Sequence, residues 1–178
     1  SNKITPNLLN RNFRKGKPNQ AWVTDVSEFR VNRKRLYLSV IQDLYNGEVK
    51  GYQLSRSHNQ ELILKTIKKA VNPHDDLLKL LIHSDQGILY QSPKYRNHLK
   101  KSNFVQSMSA KGNAYDNAVI ESFFGTLKCE TIYLQKVRTL SDLIKIIDQY
   151  IYWYNHHRIK LTLGGYSPIQ FRLMNQPI

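Results

Sequence analysis

In this 178-residue chain 13 acidic residues stand against 27 lysines and arginines, so an acid in an unexpected place is informative. Asp25 interrupts the alternating run Trp22-Val23-Thr24-Asp25-Val26-Ser27. Such a run forms a strand, and strand interiors are poor in Asp because its carboxylate competes for backbone amides. Asp85 ends the most hydrophobic run and precedes Gln86-Gly87; carboxyl ends of such strands are where open α/β sheets present ligand-binding groups. Glu121 lies in a helical pattern whose apolar stripe is Val119, Ile120, Phe123 and Leu127. At about 100° per residue it points away from that stripe, with Asn117 and Lys128 in its direction. Taken singly, each acid has an ordinary role, as a turn or strand-end residue or a solvated surface glutamate. Brought together, three carboxylates would repel one another unless divalent cations neutralised them. Hard oxygen ligands of this kind select Mg²⁺ or Mn²⁺.

The elements that must position these acids can be read from periodicity. Segments 22–31, 35–44 and 48–54 predict three strands in an antiparallel meander, the last two joined by the hairpin signal Asn46-Gly47. At 59–71 the period changes to helical, with Leu62, Ile63, Ile67, Ala70 and Val71 on one stripe. Segment 77–85 predicts a strand buried on both faces and 104–109 another. Helices are expected at about 117–129 and 139–154, with Asn117 capping the first and Ser141 the second. A short helix begins near Pro168. The order predicts an α/β fold with a mixed sheet.

Composition bounds the function. A net charge of +14 favours a polyanionic partner, nucleic acid before membrane, because each neutralised phosphate releases counterions. With 40% hydrophobic and 11% aromatic residues, the chain is not a disordered basic tail. A single cysteine, Cys129, excludes a disulfide framework and any zinc site needing two thiolates. No apolar run approaches the ~18 residues of a membrane span, and the N-terminus has no signal-peptide core. Residues 1–20 carry Lys3, Arg11, Arg14, Lys15 and Lys17 with no acid, and predict an extended basic arm. The missing initiator Met is expected of a segment cut from something longer.

Thirty-five residues separate Asp85 from Glu121, and Asp25 precedes both. Four ordered blocks carry or follow these acids: PNQAWVTDVSEF (18–29), HSDQGILYQS (83–92), QSMSAKGNAYDNAVIESFFGTLKCE (106–130) and YIYWYNHHR (150–158). The chain resembles the DDE transposases of the bacterial insertion-sequence family whose enzyme is made by fusing two reading frames, with a core similar to that of retroviral integrases. The resemblance spans most of residues 10–173. It implies a ribonuclease H-like fold with a five-stranded mixed sheet flanked by helices. It also implies a basic linker at 1–20, a catalytic core at 21–155 and a C-terminal extension of the core at 156–178. Asp25, Asp85 and Glu121 would be the catalytic and metal-binding residues, holding two Mg²⁺ or Mn²⁺ ions, with Asp25 shared between them. The reaction implied is DNA end cleavage followed by strand transfer. Neither Cys129 nor a serine is then needed as a nucleophile. The partner would be DNA, both element ends and target, bound by a homo-oligomer, with no membrane and no small-molecule substrate. Such a protein would work in the bacterial cytoplasm, on the nucleoid. Where many members have Arg-x-His before Leu-Gly-Tyr-x-Ser-Pro, this chain reads Arg158-Ile159-Lys160 and then Leu163-Gly164-Gly165-Tyr166-Ser167-Pro168. The family's N-terminal helix-turn-helix pattern does not occur in residues 1–20.

DNA contacts are expected from Lys128, Lys111, Tyr115, Asn117, Arg158, Lys160, Arg14, Lys15 and Lys17, as phosphate-binding cations or, for Tyr115, as a base-stacking ring. His83, two residues before Asp85, is expected to be a buried hydrogen-bonded histidine rather than a ligand. Two other readings share parts of this pattern: a ribonuclease H-like nuclease that stops at hydrolysis, and a DNA-binding assembly module without catalysis.

Overall fold

The computed structural model describes residues 1–111 and 113–176, and only the backbone of Ala114 and Asp116. Gly112 and the last two residues of the expected C-terminal extension lie outside the described part. Five strands form one sheet: β1 (Ala21–Val31), β2 (Lys34–Asp43), β3 (Val49–Ser55), β4 (Leu81–Ser84) and β5 (Val105–Met108), in the order β3-β2-β1-β4-β5. The first three pair antiparallel, whereas β4 pairs parallel to β1 and β5 parallel to β4. This is the mixed five-stranded sheet that the sequence predicts.

Strand alternation divides the core in two. Trp22, Ile41 and Ile82 point to one face, where they pack with Ile63 and Ile67 of α1 (Gln60–Ala70) and with Tyr95 and Leu99. Between β4 and β5 lie α2 (Ile88–Gln91) and α3 (Pro93–Lys101), which supplies those last two residues. Val23, Phe29, Leu38 and Val40 point to the other face. They pack there against Ile120, Phe123, Phe124 and Leu127 of α4 (Ala118–Glu130) and Leu143, Ile147 and Ile151 of α5 (Leu140–His156). No helix among the described residues is long and apolar enough to cross a membrane.

Four local expectations need correction. The strand predicted over 77–85 is only four residues long, because Leu77 to Lys79 form a turn with Lys79 at φ 58° and Leu78 exposed. The α5 cap is Thr139 rather than Ser141: its hydroxyl accepts from the Asp142 amide while the Asp142 carboxylate accepts from the Thr139 amide. Asn117 occupies the N-cap position of α4 but makes no side-chain capping bond, since a 3₁₀ turn (Ala114–Asn117) runs directly into the helix. The N-terminal arm is also anchored. The amides of Leu8 and Leu9 donate to Ser107 Oγ on β5 at 2.8 and 3.2 Å, and Leu9 is buried among the α4–α5 side of the core. The basic residues of this stretch hide its two apolar anchors, Leu9 and Phe13, in the pattern.

The arm therefore contributes to stability. Leu9→Ala should lower the unfolding free energy by about 2 kcal/mol or more, whereas an unpacked arm would show no change. Chemical denaturation of the two proteins checks this.

A candidate carboxylate site

The ladder between β1 and β4 pairs Trp22 with Ile82 and Val23 with His83. Continued two residues beyond its last pair, the same register sets Asp25 against Asp85. Both then lie on the face that α4 covers, because side chains two apart along a strand share a face. The strands separate at this point, and Asp85 starts the loop after β4. Each aspartate is held by backbone: Asp25 Oδ1 accepts from the Val26 amide at 2.7 Å, and Asp85 Oδ1 from the Gly87 amide at 2.7 Å. Gly87 is required by the approach, since a Cβ there would stand 2.8 Å from Asp85 Oδ1. Gln86 Nε2 donates to the Ser109 carbonyl at 2.9 Å, tying this turn to the chain after β5.

Glu121 enters from the first turn of α4, on the flank of the apolar stripe, and is exposed. Its charge reaches the strand acid. The Asp25 carboxyl is raised to about 6, by burial first and also by the negative charges of Asp85 and Glu121, against the lowering hydrogen bond from the Val26 amide. Among the described residues none of the three carboxylates has an ion-pair partner. Glu28, Glu48, Glu61, Asp75 and Glu130 all pair with lysine or arginine. Asp43, Asp76, Asp142 and Asp148 are also without an ion pair among the described residues; what sets the three apart is that the charges of Asp85 and Glu121 both bear on Asp25, which marks a place for a cation. The described residues include no group of three His, Cys, Asp or Glu side chains able to hold one ion together. Mg²⁺ does not need such a cage, as it is commonly bound by one or two carboxylates, with water and substrate phosphates completing its shell.

The structure also shows a neighbour that sequence reasoning passed over. Tyr90 of α2 is buried beneath the carboxylates. Its phenol is held protonated, well above the usual range, by burial first and then by the charges of Asp25, Tyr95 and Asp85. Its only signal was an aromatic five residues after Asp85 within HSDQGILYQS. His83 is fully buried and its Nδ1 lies 2.8 Å from Ser107 Oγ, as expected of a hydrogen-bonded core histidine.

The residues expected to meet DNA have different fates. Lys128 projects from the Glu121 flank of α4, and its ammonium lies 5.1 Å from the Phe29 ring centroid. Lys111 and Tyr115 are exposed beside the site, and the Arg11 guanidinium covers the Tyr115 ring at 5.5 Å. Asn117 is half-buried at the start of α4. Arg158 is spent within the protein: its guanidinium bonds Glu130 at 2.6 to 3.1 Å, and Tyr150 donates to the same carboxylate at 2.7 Å. Lys160, Arg14 and Lys15 border one groove, away from the carboxylates, while Lys17 borders a different cleft that also holds Asp75 and Asp76.

The chain is similar to known proteins. The family described as integrase core domain matches residues 15–114, and a second family of that description matches residues 121–175. A protein of Escherichia coli (strain K12) named InsK, of insertion sequence element IS150, is 45% identical over 170 residues, covering 94% of this chain and 59% of its own length. A transposase-like protein of Haemophilus influenzae is 45% identical over 169 residues, covering 95% of this chain and 78% of that protein. Transposase InsF of insertion sequence IS3fB from Escherichia coli (strain K12) is 35% identical, covering 97% and 60%. The chain thus spans about three-fifths of two of these relatives. Among solved structures, the magnesium complex of the HTLV-2 integrase catalytic core is similar with TM-score 0.72 at 17% identity, covering 89% of this chain and 99% of that one. At that identity the likeness establishes the fold, which is ribonuclease H-like as the sequence resemblance implied.

The Asp25 shift predicts how stability changes with pH. Its folded pKa lies above the unfolded value near 3.8, so the folded state binds the extra proton and stability falls as pH rises from about 4 through 6. Asp25→Asn should remove this loss and stabilise the metal-free protein near neutral pH by on the order of 2 kcal/mol. Denaturation of both proteins across that pH range measures it.

Proposed function

The chain belongs to the integrase core domain family, and from that premise we propose that it is the catalytic core of a DNA transposase. Asp25, Asp85 and Glu121 are its metal-binding and catalytic residues. The observation that supports this reading is the charge balance of the site: a buried Asp25 that feels the charges of Asp85 and Glu121, with none of the three paired with a cation among the described residues, in a protein of net charge +14. Asp25, Asp85 and Glu121 would hold divalent ions, with Mg²⁺ or Mn²⁺ suited to the all-oxygen donor set. When bound, such ions polarise the scissile phosphate, lower the pKa of the attacking hydroxyl or water and neutralise the leaving oxygen.

The protein's part is to hold the acids where that charge is needed. The β1–β4 register sets the two aspartates side by side, and the Gly87 amide orients Asp85. The buried Tyr90 phenol keeps its proton next to Asp25, so it adds no negative charge to the cluster. Water serves as nucleophile in end cleavage and a DNA 3′-hydroxyl in strand transfer, with no covalent protein–DNA intermediate. Lys128 and Lys111 lie where they can meet phosphates beside the carboxylates. The enzyme acts on element ends and target DNA as an oligomer, in the bacterial cytoplasm.

Strand-joined products from labelled duplex DNA with free 3′-hydroxyl ends and Mn²⁺ or Mg²⁺ are the expected outcome. Asp85→Asn should reduce their formation by at least about a thousandfold, the scale of several kcal/mol of lost transition-state stabilisation. Nicks without joining would mean a nuclease, and salt-sensitive binding without either would mean a DNA-binding module.

A further inference from the structure

The flank of α4 opposite Glu121 and Lys128 borders a groove of about 1030 Å³ that the carboxylate site does not use. Ser122 and Thr126, four residues apart, form its α4 wall. The β2–β3 turn at Asn46-Gly47 forms the second wall, Arg14 and Lys15 of the N-terminal arm the third, and Lys160 part of its floor. These walls are fixed. Asn46 Nδ2 donates to the Pro168 carbonyl at 2.8 Å, and Arg172 bonds Glu48 at 2.7 and 3.2 Å. Pro168 and Arg172 belong to a C-terminal helix, α6 (Pro168–Met174), so these bonds clamp the C-terminal segment to the turn.

Lys160 is the unusual member. It is half-buried, its ammonium lies 3.3 Å from the Tyr154 hydroxyl, and among the described residues it pairs with no carboxylate. Burial and the nearby Arg158 charge lower its pKa, the condition of an ammonium short of a counterion. Open space is kept above it by Gly47, at φ +78°, where a Cβ would stand 2.4 Å from Lys160 Nζ. Arg14 and Lys15 also lack acid partners among the described residues. The one acid bordering the groove, Asp43, is buried, and its carboxylate accepts from the Asn19 and Tyr45 amides at 2.9 and 3.0 Å. The groove thus offers cations and hydroxyls to an anion and no exposed carboxylate to repel one. A chain of phosphodiesters separated by sugars is the ligand that meets several such donors along one wall.

We propose that this groove is a second DNA track, binding the sugar–phosphate backbone of duplex flanking the cleaved site through Lys160, Arg14, Lys15, Ser122 and Thr126. The proposal rests on the reading of the chain as a DNA-joining enzyme, and it adds a surface on the far side of α4 from the chemistry. Binding there is independent of sequence, and it neutralises a partly buried ammonium that the protein alone leaves uncompensated.

The test is the salt dependence of binding to random-sequence duplex DNA without divalent metal. Lys160→Gln should lower the slope of log affinity against log salt by about 0.9, and Arg14→Gln with Lys15→Gln by about 1.8. Lys145→Gln, an equal charge change on the outer face of α5, should leave the slope unchanged. The arm pair is at the rim and needs no repacking, so it decides the matter if Lys160→Gln fails to fold. Groove variants that behave like Lys145→Gln overturn the groove while leaving the enzyme reading intact. Wild-type protein without salt-sensitive DNA binding overturns both.

Discussion

The structure depends on holding like charges together. Asp25 lies within β1 and Asp85, 60 residues later, just past the end of β4, and the parallel β1–β4 ladder that ends at Val23–His83 brings the two segments together. The Asp25 carboxyl is raised by burial first, and the charges of Asp85 and Glu121 add to that shift. The opposing term is packing. Ile120, Phe123, Phe124 and Leu127 seat α4 on Val23 and Phe29, and that contact fixes Glu121 in place as a consequence. Burial of a few leucine- and phenylalanine-sized side chains, each contributing about 1.5–3 kcal/mol, readily exceeds repulsion among partly solvated carboxylates. The core thus holds the acids near one another against their repulsion.

Legibility in the sequence followed the range of the interactions. The direction of Glu121 was readable because the stripe that sets it is local, within two helical turns. The hairpin at Asn46-Gly47 and the α1 stripe were readable for the same reason. The opposition of Asp25 and Asp85 was not, since strand register leaves no mark on the residues at either end; the resemblance to a known family supplied what periodicity could not. The arm illustrates a further limit. Leu8-Leu9 is too short to show a period, and its anchor, Ser107 Oγ, lies nearly a hundred residues away. At the start of α5 two hydroxyls competed, and Thr139 prevailed because Asp142 stands three residues later to return the bond.

Arg158 and Lys160 show why the same basic turn yields one structural cation and one available cation. Composition counts them alike. The planar guanidinium of Arg158 offers several donors in a fork and is taken by Glu130, 28 residues earlier on α4, with Tyr150 completing the carboxylate's shell. That bond joins α4 to the segment after α5. Lys160 has a single ammonium that finds only a hydroxyl. Its desolvation is offset in part by the Tyr154 ring, whose centroid lies 5.6 Å from the ammonium.

The +14 surplus therefore has a structure. Acids with structural work hold specific cations: Glu130 holds Arg158, Glu48 holds Arg172, and Asp75 holds Lys50. The cations outside those pairs include the arm, Lys128 on one flank of α4 and Lys160 in the groove on the other. One helix thus separates two functions. Its Glu121 flank turns toward Asp25, which feels the Glu121 charge, and its Ser122–Thr126 flank borders the groove of Lys160, Arg14 and Lys15. A polyanion crossing α4 could reach Lys128 on one flank and Lys160 on the other, whereas a small anion could reach only one. That geometry, more than the size of the net charge, is the reason to read the surplus as a nucleic-acid surface.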